Sequence, residues 1–386
     1  RANVATGNTA VGYLAGRALT SGIRNVAIGS EAGKTQTTTN ANTSVGFEAL
    51  KLGVAGETVA IGAFCLTANT TGTHNVGIGK NCLYENESGN QNTAVGTEAL
   101  SANIGSLNTA LGYRALLANT TGTRNIAIGP NAYNASDAEQ DNIAIGYNAM
   151  TTNTAGGALN VAVGNYALDA LTSGDNNVAV GHNAGTTQTS ASQNTLIGRQ
   201  AGGSILEGES NTAIGYLALV DTAATENGRW NTAVGAFSRV VSDGEGAIVL
   251  GYNVSGTEGY TTLGKDGDDI RAAHGNVTWA TVSDERVKKD ITDSTAGLSV
   301  INDLRPRTFK YKNKGDIPEA FDAYEEGSTE TFKNTHTNHG FIAQEVKLVV
   351  DNHPELKDGF KMWDIRGHSG QQEVGEAAII PILVKA

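Results

Sequence analysis

The feature that most constrains this chain is a short phrase, Asn-x-Ala-(Val/Ile)-Gly, which returns about every 17 residues through the first 251 residues. Representative copies are Asn8–Gly12, Asn25–Gly29 and Asn125–Gly129. A repeat of this length is too short for a helical hairpin, and it fits one coil of a β-solenoid. The closing glycines number the coils from 1 to 15, at positions 12, 29, 46, 62, 79, 96, 112, 129, 146, 164, 181, 198, 215, 235 and 251.

Each coil is predicted to contain two short strands joined by turns. In Val26–Ile28 the β-branched residues alternate with Ala27, so the two kinds of side chain point to opposite faces of a strand. We expect Val, Ile, Leu and Thr to fill the coil, and the alanines to face outward against sister chains. The second strand is expected at segments such as Phe47–Leu50, and polar phrases such as Ala118–Arg124 are predicted to be turns. Fifteen coils spaced by ~4.8 Å would form a rod roughly 70 Å long.

The repeated asparagine has two explanations. Its side-chain amides could form a ladder along the stack, each one bonded to the next. Alternatively, asparagine is present because it tolerates turn conformations. The sequence favours neither explanation over the other.

The composition agrees with a thin, repetitive β structure. Hydrophobic residues make up 39% of the chain and aromatic residues only 6%, while glycine occurs 49 times. The net charge of -12 argues against nucleic acid and anionic lipid as partners, because both need a basic surface. No apolar run approaches the ~20 residues that span a bilayer, so no membrane insertion is expected. The chain opens with Arg1 inside a repeat-like phrase, and we expect it to be a fragment whose N-terminal signal or anchor is missing.

The two cysteines, Cys65 and Cys82, occupy equivalent positions one repeat apart and are predicted to stack on adjacent coils. A separation of ~4.8 Å between their Cα atoms would permit a disulfide. The simpler explanation is that each is a small buried residue, since disulfides are rare in a reducing cytoplasm.

Three other groups resemble ligand sites only weakly. The His336–His339 spacing could hold a metal on a helix, but its neighbours predict a loop. Asp266–Asp269 lacks the spacing of an EF-hand and is predicted to be a polar turn. Gly77–Lys80 lacks the spacing of a phosphate-binding loop. We therefore expect neither a metal nor a cofactor.

The acidic residues of the repeat are scattered at coil edges. A site that cleaves glycans needs two carboxylates held a few ångströms apart, and nothing in the sequence pairs them. The candidates are Glu31, Glu48, Glu98, Asp137 and Glu139.

The repeat fades after residue 251. Residues 252–282 are predicted to form a few strands that close the open end of the solenoid, with Trp279 as a cap. The charged octapeptide Ser283–Asp290 follows, and by itself it would be an ordinary helix start with acidic residues in its first turn. Further on, Ala343–Val350 is predicted to be a helix that ends before Pro354.

Four phrases stand out after the repeat, and they are Ser283–Ile291, Leu304–Tyr311, Gly340–Val346 and Ile380–Ala386. They resemble, in the same order, the endosialidase-type intramolecular chaperone domain of phage tailspikes and tail fibres. The resemblance implies a trimeric domain that promotes assembly and then releases itself by a Ser-Lys reaction. It implies Ser283 and Lys288 as the catalytic residues and the Ser283–Asp284 bond as the cleavage site.

The chemistry of such a pair is reasonable. A serine hydroxyl is a weak nucleophile until a base takes its proton, and a lysine can be that base only if its pKa is lowered. Burial or the positive charge of Lys289 and Arg286 would lower the pKa of Lys288, whereas Asp284 and Glu285 would oppose this. We expect burial on trimer formation to trigger cleavage, so that cutting follows correct folding.

The repeats themselves resemble the heads of trimeric autotransporter adhesins, the YadA-like heads, although the period here is longer than usual for that family. This resemblance implies left-handed parallel β-rolls packed three together. The expected fold is therefore mainly β, a parallel left-handed β-roll of about fifteen coils followed by a smaller α+β chaperone domain. The expected domains are residues 1–251, 252–282 and 283–386, the last with its C-terminal helix truncated.

The function implied is that of a phage tail fibre or host-recognition protein, made in the bacterial cytoplasm and located in the virion. Its expected partners are two further copies of itself, other tail proteins through the missing N-terminus, and a glycan or protein receptor on the host. No turnover enzyme is expected, only a single self-cleavage. The alternatives are a tailspike that degrades glycans and a trimeric bacterial surface adhesin, whose outer-membrane β-barrel anchor is not recognisable in the C-terminal segment.

Overall fold

The computed structural model describes residues 6–54, 56–152, 156–220, 227–241, 244–266, 268–275, 293–321, 323–356, 362–366, 371–375 and 379–385. The chain divides into two compact units, Arg1–Val282 and Ser283–Ala386. The first unit is a β-roll built from the repeat, and the second is a small mixed unit.

Fourteen three-residue strands of the roll follow the repeat from coil to coil. Each strand pairs in parallel with the next, and equivalent residues of the repeat lie opposite each other, as in Val26↔Thr43 and Ala144↔Ala162. This confirms the predicted parallel solenoid. The strands are β1 Thr9–Val11, β2 Val26–Ile28, β3 Thr43–Val45, β4 Val59–Ile61, β5 Val76–Ile78, β6 Thr93–Val95, β7 Thr109–Leu111, β8 Ile126–Ile128, β9 Ile143–Ile145, β10 Val161–Val163, β11 Val178–Val180, β12 Thr195–Ile197, β13 Thr212–Ile214 and β14 Thr232–Val234.

The alanines face the interior of the roll, so the expectation that they face outward was wrong. Ala110 in the centre of β7 is fully buried, whereas Leu111 beside it is 47% exposed. The reason is the narrow cross-section of a coil. Its interior accommodates one small residue from the strand, with an alanine and a leucine such as Ala115 and Leu116 from the turn that follows. The β-branched side chains on either side of the central alanine stand on the outer face.

The second part of each coil is a turn, which corrects the predicted second strand. In Phe47–Leu50, both Glu48 and Leu50 have positive φ angles, of 56° and 49°. Residues that alternate between right-handed and left-handed conformations bend the chain instead of extending it. Their N–H groups still bond to neighbouring coils, as when Leu50 donates to the carbonyl of Cys65 at 2.9 Å. The turn therefore adds inter-coil hydrogen bonds without forming a strand.

The glycine that closes each phrase is required by its conformation and by its neighbour. Gly96 has a φ of 139°, in a region that other residues rarely adopt. A Cβ atom at this position would lie 2.3 Å from the carbonyl oxygen of Gly112 in the next coil. The stack of closing glycines thus lets the coils approach each other at this corner.

From Asn25 onward the repeated asparagine is buried, and it bonds to the backbone of adjacent coils. The N–H of Asn125 donates to Oδ1 of Asn108 at 3.0 Å, and its own Oδ1 accepts the N–H of Asn142 at 3.0 Å. Its Nδ2 donates to the carbonyl of Glu139 at 2.7 Å. The left-handed conformation falls on the preceding residue, Arg124. These asparagines therefore form a ladder, but one that runs mainly from side chain to backbone.

A second asparagine column forms the amide-to-amide ladder. Asn86 donates to Oδ1 of Asn69 at 3.1 Å, Asn103 donates to Asn86 at 3.2 Å, and Asn119 donates to Asn103 at 2.6 Å. All four side chains are fully buried. The sequence indicates this column only by polar residues at one repeat spacing, which we did not single out.

The core compensates for changes in side-chain size between coils. Leu196 replaces the usual alanine in the centre of β12, and glycine replaces the usual leucine at positions 185 and 202. A Cβ atom at Gly202 would lie 2.5 Å from Cδ2 of Leu196. Leu196 therefore occupies space that the turn leucines fill elsewhere.

Cys65 and Cys82 lie on adjacent coils as predicted, and a glycine makes room for one of them. Both are fully buried free thiols, and the N–H of Leu66 donates to the carbonyl of Cys82 at 2.9 Å. A hydrogen bond to Cys82, together with burial, raises the pKa of the Cys65 thiol. Gly77 makes room, because a Cβ atom there would lie 2.6 Å from Sγ of Cys65.

The roll ends in longer strands, as the sequence predicts for the segment after the repeat. β16 pairs in parallel with β18, and β19 then turns back and pairs antiparallel with β18. The predicted polar turn is present, since Asp266 lies between β18 and β19. The expected cap Trp279 lies outside the described residues. The elements are β15 Arg239–Val240, β16 Ile248–Tyr252, β17 Ser255–Gly256, β18 Tyr260–Lys265 and β19 Asp268–Ala273.

The second unit combines short helices with two antiparallel strand pairs. β20 pairs with β21, and β22 pairs with β23. The predicted helix is confirmed as α2, with Val346 and Val349 buried. None of the helices within the described residues is long and apolar enough to cross a lipid bilayer. The elements are α1 Leu298–Asp303, β20 Arg307–Phe309, β21 Asn338–Gly340, α2 Ala343–Asn352, β22 Trp363–Arg366, β23 Gln371–Val374 and α3 Ile380–Lys385, with 3-10 turns at Lys314–Asp316 and Pro354–Leu356.

Candidate functional site

The residues predicted to carry out cleavage, Ser283, Asp284 and Lys288, lie outside the described residues, within 276–292. The structure therefore gives no geometry for them, and their roles stay a prediction. Two surfaces of the roll and the interior of the second unit can be described in detail, and they are the candidates for function.

The largest candidate surface is the outer face of the roll strands. We call it the strand face, and it consists of the first and third residues of β1–β14 and the corresponding residues of β16. The third residue is Val, Ile or Leu in every strand of this set, and the first is Val, Ile or Thr. The third residues of coils 2 and 7, Ile28 and Leu111, are 39% and 47% exposed. An apolar surface that continues over so many coils is typical of an interaction site.

A column of aromatic residues borders the strand face. The residue directly after each closing glycine defines this corner column, and six of its fifteen members are exposed aromatic residues. Some stack edge-to-face on residues of the next coil, as Tyr147 does on Tyr166 with ring centroids 5.4 Å apart. We did not single out this column from the sequence, although an aromatic after the glycine was its visible signal. The six are Tyr13, Phe47, Tyr113, Tyr147, Tyr216 and Tyr252.

The second unit brings together the three later phrases of the chaperone resemblance. Leu304, Val346 and Ile382, one from each of the three later phrases, are buried in one apolar cluster. Arg307 on β20 also makes two hydrogen bonds to Glu345 on α2, at 2.9 and 2.7 Å. This ion pair lowers the pKa of Glu345. Phrases far apart in sequence thus build one core.

A histidine clamp joins three segments of the same unit. His353 follows α2, and its Nε2 lies 2.8 Å from Oδ2 of Asp303 at the end of α1. Its Nδ1 lies 3.0 Å from Oε1 of Glu355 in the following 3-10 turn. The contact with Asp303 and then the contact with Glu355 raise the pKa of His353. The clamp therefore links the protonation of one side chain to the contact between the end of α1 and the segment that follows α2.

An open cleft of about 580 Å³ lies between the two strand pairs of the second unit. Phe309, Tyr311 and Phe332 form one wall, and Gln344 and Val374 contribute to others. Lys333 stands above the ring of Tyr311, with 5.5 Å between Nζ and the ring centroid. The cleft contains aromatic surface and a cation but no cluster of acidic residues among the side chains that line it.

The histidine pair is not arranged as a helical metal site. His336 lies in a bend and His339 in strand β21, so the spacing does not place them on one helix face. Across the residues that the structure describes, no group of three or more His, Cys, Asp or Glu side chains is placed to hold a metal ion.

The candidate carboxylates of the roll have structural partners. Glu31 bonds to Lys51 and Lys34, and these contacts lower its pKa, whereas the acid of a glycosidase needs a raised pKa. Glu98 pairs with Arg114 at 2.7 Å, and Glu139 accepts the N–H of Asp137 at 2.8 Å. The remaining two are bonded as well, Glu48 to Lys51 and Asp137 to the hydroxyl of Thr120.

One comparison with known proteins identifies part of the chain. Residues 283–353 match the family model Peptidase_S74, described as chaperone of endosialidase. No curated protein and no solved structure gives a significant match to the chain. The match covers the segment from the predicted cleavage site through α2, and it confirms a chaperone-type domain after the roll.

Proposed function

We propose that this protein is a phage tail fibre, or a similar host-recognition appendage, whose roll assembles as a trimer with help from the C-terminal domain. The observation that carries the proposal is the chaperone-of-endosialidase match placed directly after a long β-roll. Such a roll is difficult to assemble alone, since its strand face exposes apolar side chains on every coil.

The strand face supports a trimer of this chain. A single coil buries little more than two alanines and a leucine, so isolated coils gain limited hydrophobic stabilisation. Packing three strand faces together would remove the exposed Val, Ile and Leu side chains from water. This arrangement replaces the expected packing through alanine, because the alanines are already buried inside each coil.

The C-terminal domain is proposed to act once and then to be released. Ser283 would supply the nucleophile and Lys288 the base that accepts its proton. The serine oxygen would form an ester with the carbonyl carbon of the bond that breaks, and the leaving nitrogen would take the proton held by Lys288. One water would then hydrolyse the ester, leaving a carboxyl group on the roll and an amino group on the released domain. Cleavage at the Ser283–Asp284 bond and cleavage one bond earlier give products that differ by the mass of one serine.

Mass spectrometry of the expressed full chain tests both parts of the proposal. Native spectra should show a trimer, and denaturing spectra should show a cut near Ser283. The variants Ser283→Ala and Lys288→Ala should each stay uncut and still form trimers, whereas Lys289→Arg serves as the matched control and should be cut. A chain that is monomeric, or one that is cut while unfolded, would contradict the proposal.

A further inference from the structure

The strand face fixes only weakly how far one copy is shifted along another. Its third position is Val, Ile or Leu in all fifteen coils, and its first position is Val, Ile or Thr. A shift by one coil, ~4.8 Å, brings nearly the same side chains back into contact. Strand surfaces that look alike at every step specify register weakly.

The corner column differs in this respect, because its exposed aromatics are unevenly spaced. They occur in coils 1, 3, 7, 9, 13 and 15, at intervals of 2, 4, 2, 4 and 2 coils. The pattern coincides with itself only after a shift of six coils. Shifts of two or four coils match part of it, and shifts of one, three or five coils match none of it. Between the aromatics lie polar residues such as Lys80, Asn165 and Arg199.

We propose that the aromatic corner column sets the axial register between copies of this chain, an inference that rests on the trimer proposed above. The column borders the strand face directly, since only the closing glycine separates Leu111 from Tyr113 and Ile145 from Tyr147. A surface that repeats at the coil spacing over fifteen coils fits a partner with the same spacing. The partner that we propose for this surface is therefore a second copy of this chain.

The physical basis is the size and exposure of the aromatics. Tyr113 and Tyr147 are 46% and 41% exposed, and an aromatic side chain can bury about 150–250 Å². Where the corner columns of two copies meet, a shifted neighbour places other residues opposite the aromatics, and the full pattern returns only after six coils. A shift that large would also leave only nine of fifteen coils in contact. The corner aromatics thus favour one axial alignment between copies, although the strand face alone permits many.

Photo-crosslinking of the full chain tests this inference. A benzophenone amino acid, p-benzoylphenylalanine, replaces Ile128 on the strand face of coil 8, and covalent dimers are isolated on a denaturing gel. Peptide mapping then shows which coil of the neighbour was captured. The wild-type corner should give links to one coil and its immediate neighbours. The variant Phe47→Thr/Tyr113→Thr/Tyr147→Thr/Tyr216→Thr should give links to coils at least two further away.

Two comparisons keep the result decisive. The double variant Tyr113→Thr/Tyr147→Thr keeps the aromatics near both ends of the corner column. It should therefore give crosslinks to fewer coils than the fourfold variant does. It also provides a test if the fourfold variant folds poorly. The control Leu52→Thr/Tyr84→Thr/Ile104→Thr removes exposed apolar side chains elsewhere and should keep the single register. Trimers that stay in one register without the corner aromatics would overturn the inference and leave the trimer intact. Absence of trimers in the unmodified chain would overturn the proposed function instead.

Discussion

Buried polar side chains contribute to the stability of this roll alongside its apolar ones, because each coil is too narrow for a large hydrophobic core. Asn125 illustrates this, since its side chain accepts the N–H of Asn142 and donates to the carbonyl of Glu139. A buried backbone group without a partner costs about 1–3 kcal/mol. The asparagine column thus satisfies backbone groups that the three-residue strands leave unpaired.

We expect Asn125→Ala to destabilise the roll by about 2–4 kcal/mol, because it leaves one N–H and one carbonyl group without partners. Thr121→Ala is the matched control, since Thr121 is exposed in the same coil and its change should alter stability by less than about 0.5 kcal/mol. Chemical denaturation followed by circular dichroism measures both. Equal midpoints for the two variants would show that the asparagine bonds are dispensable.

Leu196 and Gly202 should be energetically coupled. Leu196→Ala leaves a cavity and should cost about 2–5 kcal/mol. Gly202→Leu alone should also destabilise, because its Cβ atom would lie 2.5 Å from Cδ2 of Leu196. The double variant restores the arrangement of other coils, where leucines such as Leu219 hold a φ near 52°, and we expect it to recover at least half of the summed loss. A double-mutant cycle from denaturation free energies measures this coupling, and additive effects would contradict it.

Residue patterns correctly predicted which residues stack on each other from coil to coil. They did not predict whether those side chains point into the coil or away from it. The repeat spacing placed the closing glycines, the asparagines and Cys65 beside Cys82 correctly. The direction of the alanines was predicted wrongly, because alternation separates two faces without showing which one is inside. That choice depends on the width of the coil, which the turn residues set by left-handed conformations that the sequence reveals only at glycine.

At the level of elements, the sequence predicted only the part of the second unit whose residue pattern is local, namely a helix with apolar residues at helical spacing. α2 was recognised because apolar residues recur at helical spacing, and its end before Pro354 follows from local chemistry. The histidine clamp was not predicted, because Asp303 and His353 are fifty residues apart in sequence. The cleavage residues depend on a family resemblance, and the family match begins at the same serine.

The histidine clamp should make the second unit less stable at alkaline pH. Because Asp303 and Glu355 raise the pKa of His353 in the folded state, its stabilising contribution is fully present below the unfolded pKa near 6.5 and is lost as pH rises through the folded pKa. Two partly exposed ion pairs together should contribute on the order of 1 kcal/mol. His353→Gln should therefore lower stability at pH 5.5 and have little effect at alkaline pH.

Guanidinium unfolding followed by Trp363 fluorescence measures this effect, in a chain whose other two tryptophans are replaced by phenylalanine. His336→Gln is the matched control, since His336 is exposed and has no carboxylate partner among the contacts described for it. A difference between wild type and His353→Gln that is the same at both pH values would contradict the clamp.

At the level of the whole molecule, the copies of the roll must be aligned before their strand faces associate, and the second unit is the part proposed to align them. A solenoid is stabilised mainly by contacts between neighbouring coils, so it can start to form at several places along the chain. Each partly formed roll would expose its strand face, and such faces can associate in many registers. An assembly domain at one end would bring copies together at equivalent positions before the strand faces meet.

This reasoning predicts that the roll assembles poorly without the second unit. A chain ending at Val282 should form aggregates or oligomers of mixed size, because nothing then aligns the strand faces while the coils close. The full-length Ser283→Ala variant is the control, since it retains the second unit and should give one trimeric species in size-exclusion chromatography with light scattering. Adding Ile145→Asp to the truncated chain should reduce its aggregation, because a carboxylate on the strand face disfavours burial of that face. If the truncated chain instead formed uniform trimers as efficiently as the control, the second unit would not be needed for assembly.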